Sequence, residues 1–373
     1  MKTPPLPKLI IAASDQDADM LYATRFFVPD PFLFLEKDGR ACVVLSDLEI
    51  DRGRREASVD EVVAYSDVSK LCKKGKNASL AEHALAFLSS RKVKRAAVPG
   101  SFPLGLAKAI EKGGITLVPE PGLFWKEREF KTAEELKRMR RALLITEAGM
   151  ARGVEVLKAS EIGPKDTLHW AGRPLTAEIL RAEIDSAILR AGGLPANTIV
   201  AGGEQACDPH ERGSGPLRAH ELIILDIFPR DARTGYFGDM TRTVVRGSAS
   251  DARRRLWETC LAGQKQALKA IKPGINGKLV QEGVKDYFKK QGYPTEQREG
   301  RWTGFFHGLG HGLGMEIHES PRIAATTFQP GQVVTVEPGI YVPGIGGARH
   351  EDVITITGAG HQLLSRFPKE LEI

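Results

Sequence analysis

Residues 1 to about 125 alternate between short apolar runs and longer stretches in which apolar positions recur at helical spacing. The short runs predict strands at Lys8–Ala13, Phe32–Glu36 and Ala41–Leu45. The sequence Lys-Asp-Gly-Arg at 37–40 predicts a turn between the last two. Helices are predicted at Leu80–Ser90 and Leu104–Lys112, so this part of the chain indicates a small α/β domain, which ends at a Pro-Gly break at 121–122.

The remainder of the chain begins with helical patterns and ends in strands and glycine-rich turns. Thr132, followed by Glu135 three residues later, is typical of a capping box and predicts the start of a long helix. Three further helices are predicted, at Thr176–Ala191, Ala252–Ile271 and Gly277–Gln291. From Asn197 onward strands and turns dominate, interrupted by the last two of these helices.

Two aspartates, Asp226 and Asp239, flank the segment Pro229–Gly235, which predicts a turn. The segments on either side, Glu221–Phe228 and Tyr236–Arg246, therefore predict a β-hairpin. Antiparallel pairing would bring both aspartates to the same face of adjacent strands. Either one alone is equally well explained as an exposed strand residue, and it is the pair that favours a shared site.

A glycine-rich segment, H-G-L-G-H-G-L-G, surrounds His311. Glycines permit close backbone approach around a single imidazole. A lone histidine is more often a core or surface residue than a ligand, but here His307, His318 and, further back, His210 accompany it.

Two glutamates lie at predicted strand ends. Glu337 is followed by Pro338-Gly339 and closes the strand Gln332–Val336, whereas Glu351 comes just before the strand Val353–Thr357. Each could separately be a surface residue at the end of a strand.

Taken together, these side chains form a set that is able to bind metal ions: Asp226, Asp239, His311, Glu337 and Glu351. Most of the acidic members lie in apolar, β-branched runs, and a carboxylate is almost never fully buried unless it is paired or bound to a cation. No comparable cluster of Lys or Arg is present. Two hard divalent ions would supply the missing positive charge, which indicates a hydrolase.

Composition narrows the classes of protein that the chain can belong to. A length of 373 residues suits about two domains, and 42% hydrophobic with 27% charged residues is ordinary for a globular protein. No run approaches the roughly 20 apolar residues of a membrane helix, and we expect no membrane association. The net charge of +6 is spread along the chain, so no nucleic-acid partner is expected. Four scattered cysteines and the absence of a secretory pattern at the N-terminus favour a cytoplasmic protein.

Read in order, these motifs resemble those of the pita-bread metallopeptidases, which include methionine aminopeptidases, aminopeptidase P and prolidase. The resemblance covers roughly residues 130–373 and is most specific at H-G-L-G-H-G-L-G-M-E-I-H-E-S-P-R and V-E-P-G-I-Y-V-P-G-I-G-G-A-R-H-E-D. It implies an α+β protein in which a creatinase/prolidase-like α/β domain at 1–125 precedes a pita-bread domain at 126–373, an antiparallel sheet covered by helices. The presence of the first domain argues against a plain methionine aminopeptidase.

The resemblance also implies a role for each site residue. Asp226 would chelate one ion, Asp239 and Glu351 would bridge two, and His311 with Glu337 would complete the second. Glu337 would also shuttle a proton, while His210 and His318 would contact the scissile amide and stabilise the oxyanion. Ligands rich in oxygen, with one imidazole and no thiolate, favour Mn²⁺ first, with Co²⁺, Fe²⁺ or Zn²⁺ as alternatives.

The implied substrate is a short peptide cleaved before proline. Arg322 resembles a prolidase position that meets the free carboxylate of an Xaa-Pro dipeptide, although it could also be a surface arginine. Aminopeptidase P activity on longer peptides is the main alternative, creatinase-like hydrolysis a weaker one, and a non-catalytic binding protein a distant one, since none of the five ligands is substituted. A homodimer is expected from the family.

Two departures from the family pattern stand out. Asp226-Ile227-Phe228-Pro229 replaces the usual Asp-Phe-Gly, and the hairpin with its Arg-rich tip is about two residues longer than in most relatives. An insertion of two residues keeps the side chains on the same face, because strand periodicity is two.

Overall fold

The structure is a computed structural model, and it describes residues 5–373. The chain forms two compact units, which divide between Lys126 and Glu127. No helix among the described residues is both long and apolar enough to cross a membrane.

The first unit is built on one sheet with the strand order β4-β3-β2-β1-β5-β6. Its strands are β1 (Lys8–Ala12), β2 (Phe32–Lys37), β3 (Arg40–Leu45), β4 (Glu61–Ala64), β5 (Arg95–Pro99) and β6 (Thr116–Glu120). Its helices are α1 (Ala18–Thr24), α2 (Ile50–Glu56), α3 (Tyr65–Ser69), α4 (Leu80–Ser90) and α5 (Leu104–Lys112), with a 3₁₀ turn at Gly75–Asn77. The predicted strands and helices of this region lie within two residues of these bounds.

Strand alternation distributes the apolar side chains of this sheet between two cores. Leu9 and Ile11 of β1 belong to a cluster with Phe87 and Leu88 of α4, whereas Ile10 belongs to another with Met20 and Trp125. The sheet is therefore covered on both faces. The predicted turn between β2 and β3 is tight, with positive φ at Asp38 (52°) and Gly39 (74°), the conformation that favours an Asp-Gly pair.

The second unit contains four long helices and several small antiparallel sheets. The helices are α6 (Ala133–Ala159), α7 (Ala177–Arg190), α8 (Asp251–Ala270) and α9 (Gly277–Lys290). The first strands are β7 (Glu161–Ile162), β8 (Leu168–Trp170), β9 (Arg173–Pro174), β10 (Gly193–Leu194), β11 (Ile199–Gly202), β12 (Ile223–Ile227), β13 (Arg230–Asp231) and β14 (Met240–Val244). The later strands are β15 (Glu296–Arg298), β16 (Arg301–Thr303), β17 (His311–Gly312), β18 (Glu319–Arg322), β19 (Val333–Val336), β20 (Gly339–Val342), β21 (Gly346–Arg349), β22 (Asp352–Ile356) and β23 (His361–Leu363). Turns of 3₁₀ helix lie at Lys126–Glu129, Pro164–Asp166, Gly203–Cys207 and Ile323–Ala325.

Each pair of long helices covers one sheet and forms a core with it. One core joins α6 and α7 to the sheet β11-β12-β14, and the other joins α8 and α9 to the sheet β18-β17-β19-β22-β23. The predicted capping box starts α6: the Thr132 hydroxyl accepts from the Glu135 backbone N–H, and the Glu135 carboxylate accepts from that of Thr132. Helices laid over antiparallel sheets give the α+β architecture expected from the sequence.

The predicted hairpin around Asp226 is present, with β12 and β14 antiparallel and Asp226 paired with Thr241. The paired strands are shorter than predicted, and the segment between them is more than a turn, because Arg230–Asp231 pairs with β10. The Asp231 carboxylate is fully buried and accepts from Arg141 and Thr234. The Arg-rich segment is therefore anchored on α6 by a buried aspartate.

Candidate metal centre

Strand ends bring the five predicted ligands together. Asp226 lies in β12, the central strand of its sheet, whereas Asp239 comes just before β14. His311 opens β17, Glu337 follows β19, and Glu351 precedes β22. Because β19 and β22 are antiparallel, with Val336 opposite Asp352, the two glutamates emerge at the same end of that sheet.

The side chains of Asp239, His311 and Glu351 form the tightest group in the site. One ligand atom from each lies within 4.8 Å of the others, and all three residues are buried. His311 Nε2 lies 3.7 Å from Asp239 Oδ2 and 3.2 Å from Glu337 Oε1. Three carboxylates thus surround or adjoin one imidazole, an arrangement that can hold a hard divalent ion.

Hydrogen bonds orient these side chains. His311 Nδ1 lies 3.1 Å from the Gly312 carbonyl, to which it can donate, so Nε2, which faces Asp239 and Glu337, is the atom that would bind a metal ion. Thr335 Oγ1 accepts from the His311 backbone N–H and donates to Glu337 Oε1, both at 3.1 Å. The Thr241 hydroxyl donates to Glu351 Oε2 at 2.8 Å. The candidate ligands are therefore held in place by the protein itself.

Asp226 is paired differently from the other four. Its Oδ2 accepts from Arg349 Nη2 at 2.6 Å, while its Oδ1 is buried and has no hydrogen-bond partner among the described residues. Arg349 Nη1 also donates to the Tyr341 hydroxyl at 2.9 Å. A buried carboxylate oxygen without a partner is costly. Asp226 can therefore accept a cation at Oδ1 while Arg349 holds its other oxygen.

The electrostatics of the site also favour a cation. Burial, followed by the charges of Glu351, Asp226 and Glu337, raises the pKa of Asp239 well above its usual range. Burial and the charges of Glu337 and Asp226 likewise raise the pKa of Glu351. Burial raises the pKa of Asp226 too, although Arg349 opposes the shift. Carboxylates that repel one another in a buried site are neutralised either by protons or by metal ions, so these residues fit the metal that the resemblance implies.

The pKa values of Glu337 and the neighbouring histidines are lowered instead of raised. Burial would raise the pKa of Glu337, but the hydrogen bond and charge of His311 bring it down to about 2. Partial removal from water, with the charges of His311 and Arg322, lowers the pKa of His318 to about 4, and burial does the same for His307. At neutral pH, Glu337 is therefore ionised and His318 and His307 are neutral.

A cavity of about 840 Å³ opens onto the candidate ligands. Its walls include every site residue predicted from the sequence: His210, Asp226, Asp239, His311, His318, Arg322, Glu337 and Glu351. His210, His318 and Arg322 are exposed within it, and the His318 ring lies 4.4 Å from that of His311 in an edge-to-face contact. The rings of Phe228 and Phe306 form an apolar part of the wall. The cavity therefore combines polar groups with an apolar surface that can pack against an organic ligand.

Sequence reasoning missed the residues that support the ligands. Arg349 stands two positions before Glu351, yet nothing local indicated that it pairs with Asp226. Tyr341 is fully buried, and its hydroxyl lies 2.9 Å from His307 Nε2, so a chain of hydrogen bonds connects His307, Tyr341, Arg349 and Asp226.

Comparison with known proteins agrees with the metallopeptidase resemblance found in the sequence. The model of metallopeptidase family M24 matches residues 137–358. The Xaa-Pro dipeptidase of Pyrococcus furiosus is 37% identical over 179 residues, which is 47% of this chain and 49% of that protein. The chain thus spans about half the length of that relative.

Solved structures agree over nearly the whole chain. An X-Pro aminopeptidase from Thermotoga maritima superposes with a TM-score of 0.83 at 22% identity, covering 98% of this chain and 97% of that one. An Xaa-Pro dipeptidase from Bacillus anthracis gives 0.82 at 24% identity, covering 98% and 95%. Motifs, fold and family model therefore agree that the chain belongs to metallopeptidase family M24 and has the pita-bread fold.

Proposed function

We propose that this M24 peptidase hydrolyses the peptide bond that precedes proline, acts mainly on Xaa-Pro dipeptides, and uses two divalent ions, most readily Mn²⁺. The observation that carries the proposal is the single cavity in which the candidate metal ligands, His210, His318 and Arg322 all meet. The family implies divalent ions, and the group of Asp239, His311 and Glu351 offers a place for one. The similarity to an Xaa-Pro dipeptidase supports the choice of substrate.

Asp226, Asp239, His311, Glu337 and Glu351 would hold the ions. Divalent ions at such a site supply Lewis acidity and a nucleophile at neutral pH. Two observations support this assignment: Asp226 Oδ1 has no hydrogen-bond partner within the described part of the chain, and the pKa values of Asp239 and Glu351 are raised. Both show that the protein itself provides too little positive charge for these carboxylates.

Glu337 would move the proton. Its carboxylate is ionised at neutral pH, and Thr335 fixes one oxygen by donating to it. We assign it to take a proton from the attacking water and to deliver that proton to the leaving nitrogen. The leaving nitrogen of any peptide bond needs this proton, because an amide anion is too basic to be expelled. For proline, the delivered proton is the only hydrogen on that nitrogen when the bond breaks.

His318 and His210 would bind the scissile carbonyl. A neutral imidazole can donate one N–H to an oxygen that becomes negative in the transition state, and the low pKa of His318 keeps that ring neutral. Both side chains are exposed in the cavity, where a substrate can reach them.

Arg322 would set the length of the substrate. A guanidinium binds a carboxylate through two parallel hydrogen bonds, and a dipeptide carries that carboxylate on the proline itself. The rival function is that of aminopeptidase P, and a cavity of about 840 Å³ leaves room for a longer peptide.

The test is Arg322→Ala, assayed with added Mn²⁺ on an Xaa-Pro dipeptide and an Xaa-Pro-Xaa tripeptide. We expect kcat/KM to fall about tenfold to a hundredfold on the dipeptide, as for the loss of a charge-assisted bond, and far less on the tripeptide. Arg298→Ala, which removes an exposed arginine paired with Glu296, is the control. Equal losses on both substrates would favour aminopeptidase P, and activity without metal would reject the mechanism.

We also propose a cytoplasmic homodimer. The free cysteines at 42, 72, 207 and 260 support a reducing compartment. Closed two-fold dimers are the commonest oligomers. Light scattering at micromolar concentration tests the proposed homodimer, and the mass of a monomer would refute it.

A further inference from the structure

A buried ion triad lies directly beside His318 in the chain. Glu319 accepts from Arg128 Nη2 at Oε2, 2.7 Å away, and from Lys131 Nζ at Oε1, 2.5 Å away. The three side chains are 1–2% exposed. Both cations come from the segment that precedes α6, 191 and 188 residues away from Glu319 along the chain. The triad of Arg128, Lys131 and Glu319 thus joins two distant segments.

Such a triad is a poor source of stability. The free-energy cost of removing charged groups from water is about as large as the gain from their attraction. Apolar residues of similar size therefore often stabilise a protein equally well. Glu316, which is half exposed, accepts from Arg128 as well and balances the second positive charge. A cluster that is neutral with Glu316, and whose other three members are buried, is better suited to fixing the position of a backbone segment.

The segment that it fixes has little freedom of its own. Glu319 pairs with Gly312, and the register shifts between this pair and the next, His311 with Arg322. A Cβ added at Gly314 would lie 2.3 Å from Glu319 Oε1, and one at Gly312 would lie 2.2 Å from the Ser320 carbonyl oxygen. The backbone at Gly314 is therefore packed closely against the Glu319 side chain, and the backbone at Gly312 is packed against that of Glu319 and Ser320.

His318, in contrast, has no anchor on its ring. Among the described residues its imidazole makes no hydrogen bond, and its recorded contact is the edge-to-face approach to His311. The backbone therefore sets where the Cβ of His318 stands, and the residue that follows in the chain is Glu319.

The same segment also holds the strand that leads to Glu337. The Lys131 backbone N–H donates to the Gly331 carbonyl at 2.7 Å, and the Gln332 side chain donates to Glu129 at 2.6 Å. Gln332 immediately precedes β19, which ends just before Glu337. Residues 128–131 therefore contact both the side chain of Glu319, the neighbour of His318, and the residues that lead into the strand before Glu337.

We propose that Glu319 is a positioning residue for His318: through Arg128 and Lys131 it sets where the imidazole stands relative to Glu337. The inference rests on the proposed role of His318 as an oxyanion donor. It gives a function to three buried charged side chains that take no part in binding metal or substrate.

The test is Glu319→Gln, which keeps the shape of the side chain and removes its charge. We expect kcat to fall about tenfold to a hundredfold, with KM changed less than about twofold and the metal content unaltered, because a small misplacement of a catalytic group has an effect of that size. Glu147→Gln is the matched control. Glu147 is mostly buried and bonded by Arg140 and the Arg366 backbone N–H, but it does not line the cavity, so the variant should lose stability without losing kcat.

A double-mutant cycle separates positioning from general damage. If Glu319 acts through His318, adding Glu319→Gln to His318→Ala should cause no further loss of kcat. An equal loss in both backgrounds would overturn the inference and leave the role of His318 intact. An unchanged kcat in His318→Ala alone would overturn the role of His318 and the inference with it.

A second variant and a measurement that does not depend on turnover complete the test. Lys131→Met removes one cation and should give a smaller loss of kcat that is again absent in the His318→Ala background. In metal-free protein, Glu319→Gln should speed backbone hydrogen exchange at residues 315–319 and leave α8 unchanged. Unchanged exchange at 315–319 would refute the proposed anchoring.

Discussion

The pairing of Arg349 with Asp226 makes an unusual prediction: removing a buried arginine should strengthen metal binding. Arg349 donates to Asp226 at 2.6 Å, to Tyr341 at 2.9 Å and, through Nε, to Thr241 at 3.3 Å. In metal-free protein, Arg349→Met would leave Asp226 without a partner on either oxygen. Removing one partner of a buried ion pair costs about 3–5 kcal/mol in total, and this figure includes the other hydrogen bonds that the removed side chain makes.

With metal bound, the cost should be smaller, because a cation then compensates Asp226. The remaining loss is that of the hydrogen bonds to Tyr341 and Thr241, about 0.5–1.5 kcal/mol each. The variant is thus destabilised by roughly 2 kcal/mol more without metal than with it. By the thermodynamic cycle, this difference appears as a gain in metal affinity of about thirtyfold.

The assay is urea unfolding of the chelator-treated and Mn²⁺-loaded protein, together with titration calorimetry of Mn²⁺ binding. Arg140→Met provides the control, since its partner Glu147 does not line the cavity and the cost should be the same in both states. Weaker Mn²⁺ binding by Arg349→Met would refute the reasoning. It would mean that Arg349 mainly orients Asp226 for the metal rather than competing with it for the negative charge.

Other predictions follow from the same site. Asp239→Asn should lose most activity and at least part of the bound metal, because a neutral amide cannot compensate two cations; near-normal turnover with full metal content by elemental analysis would contradict the assignment. Metal-free protein should lose stability as the pH rises above about 4. The folded pKa values of Asp239 and Glu351 are raised above their unfolded values of about 4, so their stabilising contribution is complete below that pH and is lost as the pH approaches the folded values. The pKa of Glu337 is lowered to about 2, so this residue stabilises the folded protein above about pH 4, and that contribution is lost only as the pH falls toward 2. A urea midpoint that is flat from pH 5 to 8 without metal, or that still falls with Mn²⁺ present, would refute this reading.

Local signals in the sequence were sufficient for most of the elements. The capping box at Thr132 and Glu135 marks the beginning of α6, and α5 has the predicted bounds Leu104–Lys112. The hairpin around Asp226 was predictable because strand alternation and an intervening turn are properties of neighbouring residues. All predicted site residues line one cavity, since the motifs that carry them occur at strand ends that the fold brings together.

The parts that were missed depend on long-range contacts. Asp231 lies in the segment Pro229–Gly235 that predicts a turn, but its pairing with β10 and Arg141 involves residues far earlier in the chain. Arg349 and Asp226 are separated by 123 residues, and Lys131 and Glu319 by 188. A charged residue carries no local sign of the partner with which it will be buried, so these pairs could not be read from spacing.

The two helix-covered sheets of the second unit supply different parts of the candidate metal site. The sheet with β12 and β14 contributes Asp226 and the neighbouring Asp239, whereas the other sheet contributes His311, Glu337 and Glu351. Each sheet has its own apolar core. Because both sheets carry carboxylates at the edges where they meet, these edges would repel each other without a cation. Metal ions held by both edges would link the halves and make their unfolding more cooperative. Calorimetry should then show one sharp transition for the metal-loaded second unit and a broader one after chelation.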